Sequence, residues 1–203
     1  MADAHAAASE HADAQLLAMK RRRGGRERLQ AAALDLFRRY GVAGTSVQMI
    51  ATRLGMTKAA VYHHFRSKEE IFSSLVEPVL AHAGATFADI DQLSDSERPR
   101  VALDRYADLV VRHRDVVRTV LLDPGTATTL ERGPVRDLVE QLAALLAGRE
   151  TGPAATARAH LIIYGFAAAA AESDPGDEDA LGTELRRLGR RILPVPEHEP
   201  QRL

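Results

Sequence analysis

Residues 41–71 read GVAGTSVQMIATRLGMTKAAVYHHFRSKEEI, and the front of the chain is organised around this stretch. Thr45 or Ser46 can N-cap a helix, because a short side-chain oxygen satisfies amides that open a helical turn. Val47, Ile50, Ala51 and Leu54 then fall on one face at helical spacing. Ala51 is small, as a position where a second helix crosses closely requires. Gly55 supplies the positive φ of a tight helix-to-helix turn. Met56 is expected to be a buried turn residue, Thr57 caps the next helix, and Val61 returns to the core. Two short helices joined by a glycine turn, with a small residue at the crossing, make a helix-turn-helix.

The outward residues of the second helix are Lys58, Ala59, Tyr62 and His63. A basic, hydrogen-bonding face with one aromatic suits the edge of a DNA groove. Ser67 caps a third helix with Lys68 at its start, where free backbone N–H groups are placed to hold a phosphate. Each residue also has a plainer reading. Tyr62 could be a packed surface aromatic, His64 a structural histidine, and Lys58 a solvated cation. Phe37 and Phe65 are assigned to the core.

Upstream, Leu29, Ala32, Ala33, Leu36, Phe37 and Tyr40 form one apolar stripe from Arg26 to Tyr40. Gly41 is placed to end that helix in the left-handed conformation. Residues 1–25 read as a flexible basic arm, with Gly24-Gly25 breaking any helix before the next segment. Lys20 to Arg23 and Arg26 would touch DNA phosphates or the minor groove. From Lys20 to Lys68 there are twelve Lys and Arg against two acids, Glu27 and Asp35. The chain as a whole carries a formal net charge of −1, so only its front is built to meet a polyanion.

The remainder is also helical in pattern. Helices are expected over about 68–89, with Pro78 as a point for a kink, then after Pro99, and over 115–122, 134–147, 154–173 and 178–193. No stretch alternates as a strand. The expected fold is all-α with about nine helices: a DNA-binding domain over 26–73 and a helical bundle over 74–203. A chain of 203 residues with 45% hydrophobic and 27% charged residues is globular in composition. The absence of cysteine excludes disulfides, cysteine-bound zinc and a catalytic thiol. No phosphate loop, nucleophile elbow or metal-spaced histidine motif appears. His63 and His64 are adjacent, so on a helix they project about 100° apart and cannot share a metal as an i, i+4 pair could. No enzyme activity, cofactor, metal or membrane association is expected. No apolar run approaches the roughly 20 residues of a bilayer span, which leaves the cytoplasm as the expected location.

The stretch from Phe37-x-x-Tyr40-Gly41 through Thr45-Ser46-Val47, Ile50-Ala51, Gly55-Met56-Thr57 and Val61-Tyr62-His63-His64-Phe65 to Ser67-Lys68-Glu69 closely resembles the TetR family of transcriptional regulators. The resemblance covers about residues 26–73. An aromatic often follows the first glycine in that family, where this chain has Val42. The resemblance implies a homodimeric repressor on a palindromic DNA operator, released by a small-molecule effector. It implies phosphate contacts from Thr45, Thr57, Tyr62, His64 and Lys68, with Ser46 in the same interface. Lys58, Ala59 and His63 would face base edges. It also implies an effector pocket, for which Phe87, Tyr106, His113, Arg118, His160, Tyr164 and Phe166 are the candidates. Scarce aromatics point to an aliphatic pocket, while Arg105, Arg112 and Arg118 leave an anionic effector open. The dimer seam is expected on the last two helices, at Ala167, Ala170, Leu181, Leu185, Leu188 and Ile192. The same pattern would also serve as core within one chain. A regulator that answers to a protein partner, represses constitutively or activates remains the alternative.

Overall fold

The computed structural model describes residues 24–123, 126, 133–174 and 176–193. Among them are nine α-helices, one 3₁₀ turn and no strand. The helices are α1 (24–44), α2 (Val47–Arg53), α3 (Lys58–His64), α4 (Lys68–Phe87), α5 (Arg98–Arg112), α6 (Arg114–Leu121), α7 (Pro134–Ala147), α8 (Pro153–Glu172) and α9 (Glu178–Ile192). The 3₁₀ turn is Ile90–Gln92. The chain divides into two compact units, one ending at Leu75 and one beginning at Val76.

The first unit is built on α1, α2, α3 and the opening of α4. Leu29, Ala33, Phe37, Ile50, Ala51, Val61, Phe65 and Ile71 are almost wholly buried and form its core. Phe37 and Phe72 meet edge to face, with ring centroids 6.1 Å apart. Gly24 and Gly25 do not break the helix but lie in its first turn. Gly25 is needed there for space, since a Cβ would sit 2.7 Å from the His64 ring. Gly41 has φ 73°, as a left-handed position requires, yet the helical path continues to residue 44. The outward turn of the chain at this point leaves Tyr40 57% exposed instead of in the apolar stripe.

Helix α4 runs unbroken through Pro78. Proline has no N–H to give the carbonyl four residues earlier, that of Ser74. Gln30 of α1 supplies the missing donor, its Nε2 reaching the Ser74 carbonyl at 3.3 Å and Oγ at 2.9 Å.

The second unit is a helical bundle around α5 and α8. Ala102, Leu103, Tyr106, Ala107 and Val110 of α5 face Ala155, Ala159, Ile162, Ile163, Phe166, Ala167 and Ala170 of α8, all buried. The Tyr106 ring lies parallel to Phe166 at 6.1 Å, and its hydroxyl donates to the Ile163 carbonyl at 2.8 Å. Complete burial pushes the Tyr106 phenol far above its ordinary range, so it stays a neutral donor. Helix α9 closes on α5 at Gly189, beside the buried Leu185. Arg186 pairs with Asp108, and Arg190 grips Asp104 at 2.6 and 3.1 Å. By length and mean hydropathy, residues 68–92 and helix α8 could each cross a bilayer, which revises the sequence expectation. Helix α8 instead turns one stripe into the core and leaves His160, Leu161 and Tyr164 outside.

Candidate nucleic-acid interface

Local hydrogen bonding fixes the turn between α2 and α3. Ser46, not Thr45, caps α2, its Oγ accepting from Met49 N at 3.2 Å. Gly55 sits at φ 64°, and Met56 N returns to the Ala51 carbonyl at 2.9 Å. Met56 is half-buried at this turn. Thr57 caps α3 by accepting from Ala60 N at 3.2 Å. With Val61 fully buried, the opposite side of α3 is obliged to face solvent. Lys58, Ala59, Tyr62 and His63 are all exposed there. The Lys58 ammonium lies 5.7 Å from the Tyr62 ring, which keeps cation and aromatic side by side on the face.

Three candidate contacts are placed otherwise than the sequence suggested. Thr45 is only 2% exposed, and its hydroxyl donates to the Gly41 carbonyl at 2.8 Å, so it ties the link between α1 and α2 to the last turn of α1. Lys68 reaches back to the carbonyls of Val42 at 2.6 Å and Thr45 at 2.9 Å, tying the start of α4 to the same stretch. His64 is half-buried against Gly25, not on the open face. For Thr45 and Lys68 the side chain finds backbone partners that one-dimensional spacing does not display.

Arg26 was grouped with the N-terminal arm but has an internal role. Its Nη1 donates to the His64 carbonyl at 2.6 Å, and its guanidinium lies 4.0 Å from the centre of the Phe65 ring. It therefore closes the C-terminal end of α3, where the last carbonyls lack helical partners. Lys20 to Arg23 lie outside the described residues. At the start of α4, Ser67 Oγ accepts from Glu70 N, and Glu70 accepts from Arg66 N at 2.6 Å, a reciprocal cap. The Glu69 carboxyl is held below its ordinary value, chiefly by its backbone hydrogen bond and then by Ser67. Sequence reading passed over Gly25 and Arg26 as positioning residues. A glycine spaced to meet a histidine across the core was the available signal.

The second unit holds a cavity of about 60 Å³ between α4, α5, α6, α7 and α8. Of the pocket candidates, Phe87 and Tyr106 line it. His113 is drawn off by His82, the two rings joined through Nε2 and Nδ1 at 2.7 Å. Arg118 turns to the Ala171 carbonyl at 3.5 Å. Phe166 is core behind Tyr106, while His160 and Tyr164 pack edge to face on the outside of α8. The lining is aliphatic apart from Phe87 and Tyr106.

Of the seam candidates, Ala167, Ala170 and Leu185 are buried within the chain, and Leu181 and Ile192 pack against the same core. Leu188 alone of the six is exposed, at 41%. The inward side of α9 carries Gly182, Leu185 and Gly189, and at Gly189 the absence of a Cβ lets the backbone approach Leu103 of α5 where a larger side chain could not.

Comparison with known proteins gives the same reading of the first unit. Residues 29–75 match the family described as bacterial regulatory proteins, tetR family. The HTH-type transcriptional regulator Rv1816 of Mycobacterium tuberculosis is 30% identical over 120 residues, covering 57% of this chain and 48% of that protein. The tetracycline repressor protein class A from transposon 1721 of Escherichia coli is 44% identical over 50 residues, 25% of this chain and 23% of the other. The chain spans about half the length of the first of these relatives, or less of the second. The TetR family transcriptional regulator PfmR from Thermus thermophilus aligns in structure over 84% of this chain and 99% of its own, at 25% identity and a TM-score of 0.59. A capped α2, a glycine turn and a capped α3 are thus found together with the family's sequence pattern and with a fold that extends over the bundle. Over residues 29–75, the chain carries the sequence pattern of the TetR family of bacterial regulatory proteins.

Proposed function

We propose that this chain is a DNA-binding transcriptional repressor of the cytoplasm that acts as a homodimer on a palindromic operator. The observation that carries the reading is the exposed face of α3: Lys58, Ala59, Tyr62 and His63, backed by the fully buried Val61. Lys58 and His63 offer donors to base edges, and the Ala59 methyl can meet a thymine methyl. Tyr62 and Thr57 reach phosphates, and Ser46 stands at the start of α2 beside them in the sequence of the motif. Thr45, His64 and Lys68 serve by holding the reading head in shape. A dimer would present two such heads roughly 34–36 Å apart, one helical turn of DNA. Its interface is best supported on the outer side of α8, where Leu161 is 61% and Tyr164 37% exposed, together with Leu188 of α9.

The effector site is the cavity of the second unit. At about 60 Å³ it is far below the several hundred Å³ that an ordinary small ligand fills. Binding must therefore push its walls apart. Val76, Val79, Leu80 and Phe87 on α4 are part of that wall, and the same helix begins at Lys68 beside the reading head in the chain. A ligand that favours the expanded form shifts the population away from the DNA-binding one. The small volume also favours a second reading, a regulator that answers to no small molecule. A thermal-shift screen separates the two, because an effector must raise the unfolding temperature by mass action.

DNA recognition is tested by selecting bound sequences from a random duplex pool at two salt concentrations. One enriched palindrome, with affinity falling steeply as salt rises, is expected. Binding without sequence enrichment, or without salt dependence, would refute the reading.

A further inference from the structure

We propose that the cavity of the second unit takes an uncharged, hydrocarbon-like ligand and excludes anions. This rests on the effector reading above and adds the chemical class. The lining is supplied by side chains such as Val79, Leu80, Leu109, Val117 and Leu142, and among the described residues its one polar side-chain group is the Tyr106 hydroxyl. That hydroxyl is already spent on the Ile163 carbonyl at 2.8 Å, and its burial keeps it neutral. A ligand oxygen or nitrogen entering here would lose its water and gain no partner, which disfavours a neutral polar group and disfavours a charge far more.

The cations around the cavity are engaged elsewhere. Arg105 donates to the Thr86 carbonyl at 2.7 Å and pairs with Asp89 at 2.5 Å. Arg114 pairs with Glu178 at 3.3 Å. Arg118 reaches the C-terminal turn of α8 at Ala171, where a cation also answers the helix dipole. Arg112 is exposed. His82 and His113 hold each other at 2.7 Å. None of these residues lines the cavity. A carboxylate ligand would have to break one of these arrangements and bring the guanidinium through an aliphatic wall. A hydrocarbon needs only that the wall yield, and its whole surface is then removed from water, the favourable direction. Apolar cavities in proteins behave in this way, staying dry and accepting benzene or xenon.

Two isosteric probe pairs separate charge from shape: toluene against benzoate, and n-hexane against hexanoate. The full chain is heated with each at near-saturating concentration, and methyl NMR spectra are recorded alongside. The expected result is a concentration-dependent rise in the unfolding midpoint with toluene or hexane and none with either anion. Methyl shifts should concentrate on Val79, Leu109, Val117 and Leu142. Val117→Phe should abolish the effect by filling the space, and Val117→Met is the milder variant if the first does not fold. Equal stabilisation by benzoate, no stabilisation by either hydrocarbon, or shifts located outside the cavity would each overturn the proposal. Operator affinity is measured separately in the presence of toluene. If toluene enters the cavity and operator affinity stays within twofold, the ligand class stands and the effector-release reading falls.

Discussion

Two glycines on α9 should respond to the same substitution with opposite signs. At Gly189 a Cβ would lie 2.4 Å from Leu103 Cδ1, 2.8 Å from Phe166 Cζ and 2.9 Å from Leu103 Cδ2. Carbon atoms pack best at about 3.5–4.0 Å, so all three contacts are inside the repulsive wall. Leu103 is 0% and Phe166 5% exposed, so neither can swing aside into solvent. Helix α9 must slide off α5, straining the Arg190–Asp104 pair on the way. Overpacking of this kind costs about 1–3 kcal/mol. At Gly182 the nearest foreign atom is Arg186 Nη1 at 3.6 Å, an ordinary contact with a movable side chain. There the change to alanine should gain roughly 1 kcal/mol of helix propensity and lose nothing. Because both variants share that propensity gain, their difference isolates the clash at about 1–3 kcal/mol. Urea unfolding of the full chain followed by circular dichroism measures it. Gly182→Ala is expected above wild type and Gly189→Ala below Gly182→Ala. Equal midpoints for the two variants would refute the close approach of α9 to α5.

Four further outcomes follow from the contacts described. Thr57→Ala should cost about 1 kcal/mol of stability by uncapping α3; Thr57→Asp should restore the cap while repelling phosphate, so that it folds like wild type and binds DNA weakly, and wild-type DNA affinity in Thr57→Asp would count against Thr57 as a phosphate neighbour. Tyr62→Ala should weaken binding to selected and random duplexes alike, as loss of a phosphate contact does; unchanged affinity in the folded variant would remove it from the interface. Arg26→Met keeps an apolar stem over Phe65 but loses the bond to the His64 carbonyl, so operator affinity should drop with the salt slope unchanged; a slope smaller by about 0.9 would instead make Arg26 a direct phosphate ligand. The His113 imidazole is held below its ordinary pKa, first by burial and then by the neighbouring charges of His82 and Arg112. Its contribution to stability is therefore complete above the unfolded value of about 6.5 and is lost as pH falls through the lower folded value. Urea midpoints from about pH 8 to pH 5 should decline less steeply in His113→Asn than in wild type, and parallel curves would show that this ring does not drive the decline.

The two units differed in how much their sequences disclosed, and for a physical reason. In the first unit each position answers to one local rule: Ser46 and Thr57 to capping, Gly55 to a positive φ, Val61 to burial on the single inward face of a short helix. Such rules act within four or five residues and can be read along the chain. The helix bounds of the bundle were legible for the same reason, with Pro134–Ala147 placed as expected. What was not legible is which side of a helix faces inward when several sides are apolar. On α8, alanine, leucine and tyrosine occur all round, and only the three-dimensional packing assigns Ala167 and Ala170 to the core and Leu161 to solvent. On α9 the leucine stripe was the obvious seam, but Leu185 turned inward and Gly189 took a place where any side chain would collide with Leu103 and Phe166.

The same distinction bears on how the reading head works. Of the nine residues first assigned to DNA, those on the α3 face and its cap remain open to solvent, whereas Thr45 and Lys68 make their strongest contacts with backbone carbonyls at the end of α1 and just after it. A charge-assisted bond of this kind contributes about 1.5–3 kcal/mol, and a surface phosphate contact would have to replace two of them before Lys68 could leave these carbonyls. Lys68 is thus more useful in place, presenting the start of α4 at a fixed distance from α2. Gln30 does the parallel service farther along α4 by filling the hydrogen bond that Pro78 vacates. Arg26 does it at the end of α3. Three polar side chains therefore tie neighbouring helices together through backbone groups, and α3 is held with Lys58, Ala59, Tyr62 and His63 exposed on one face.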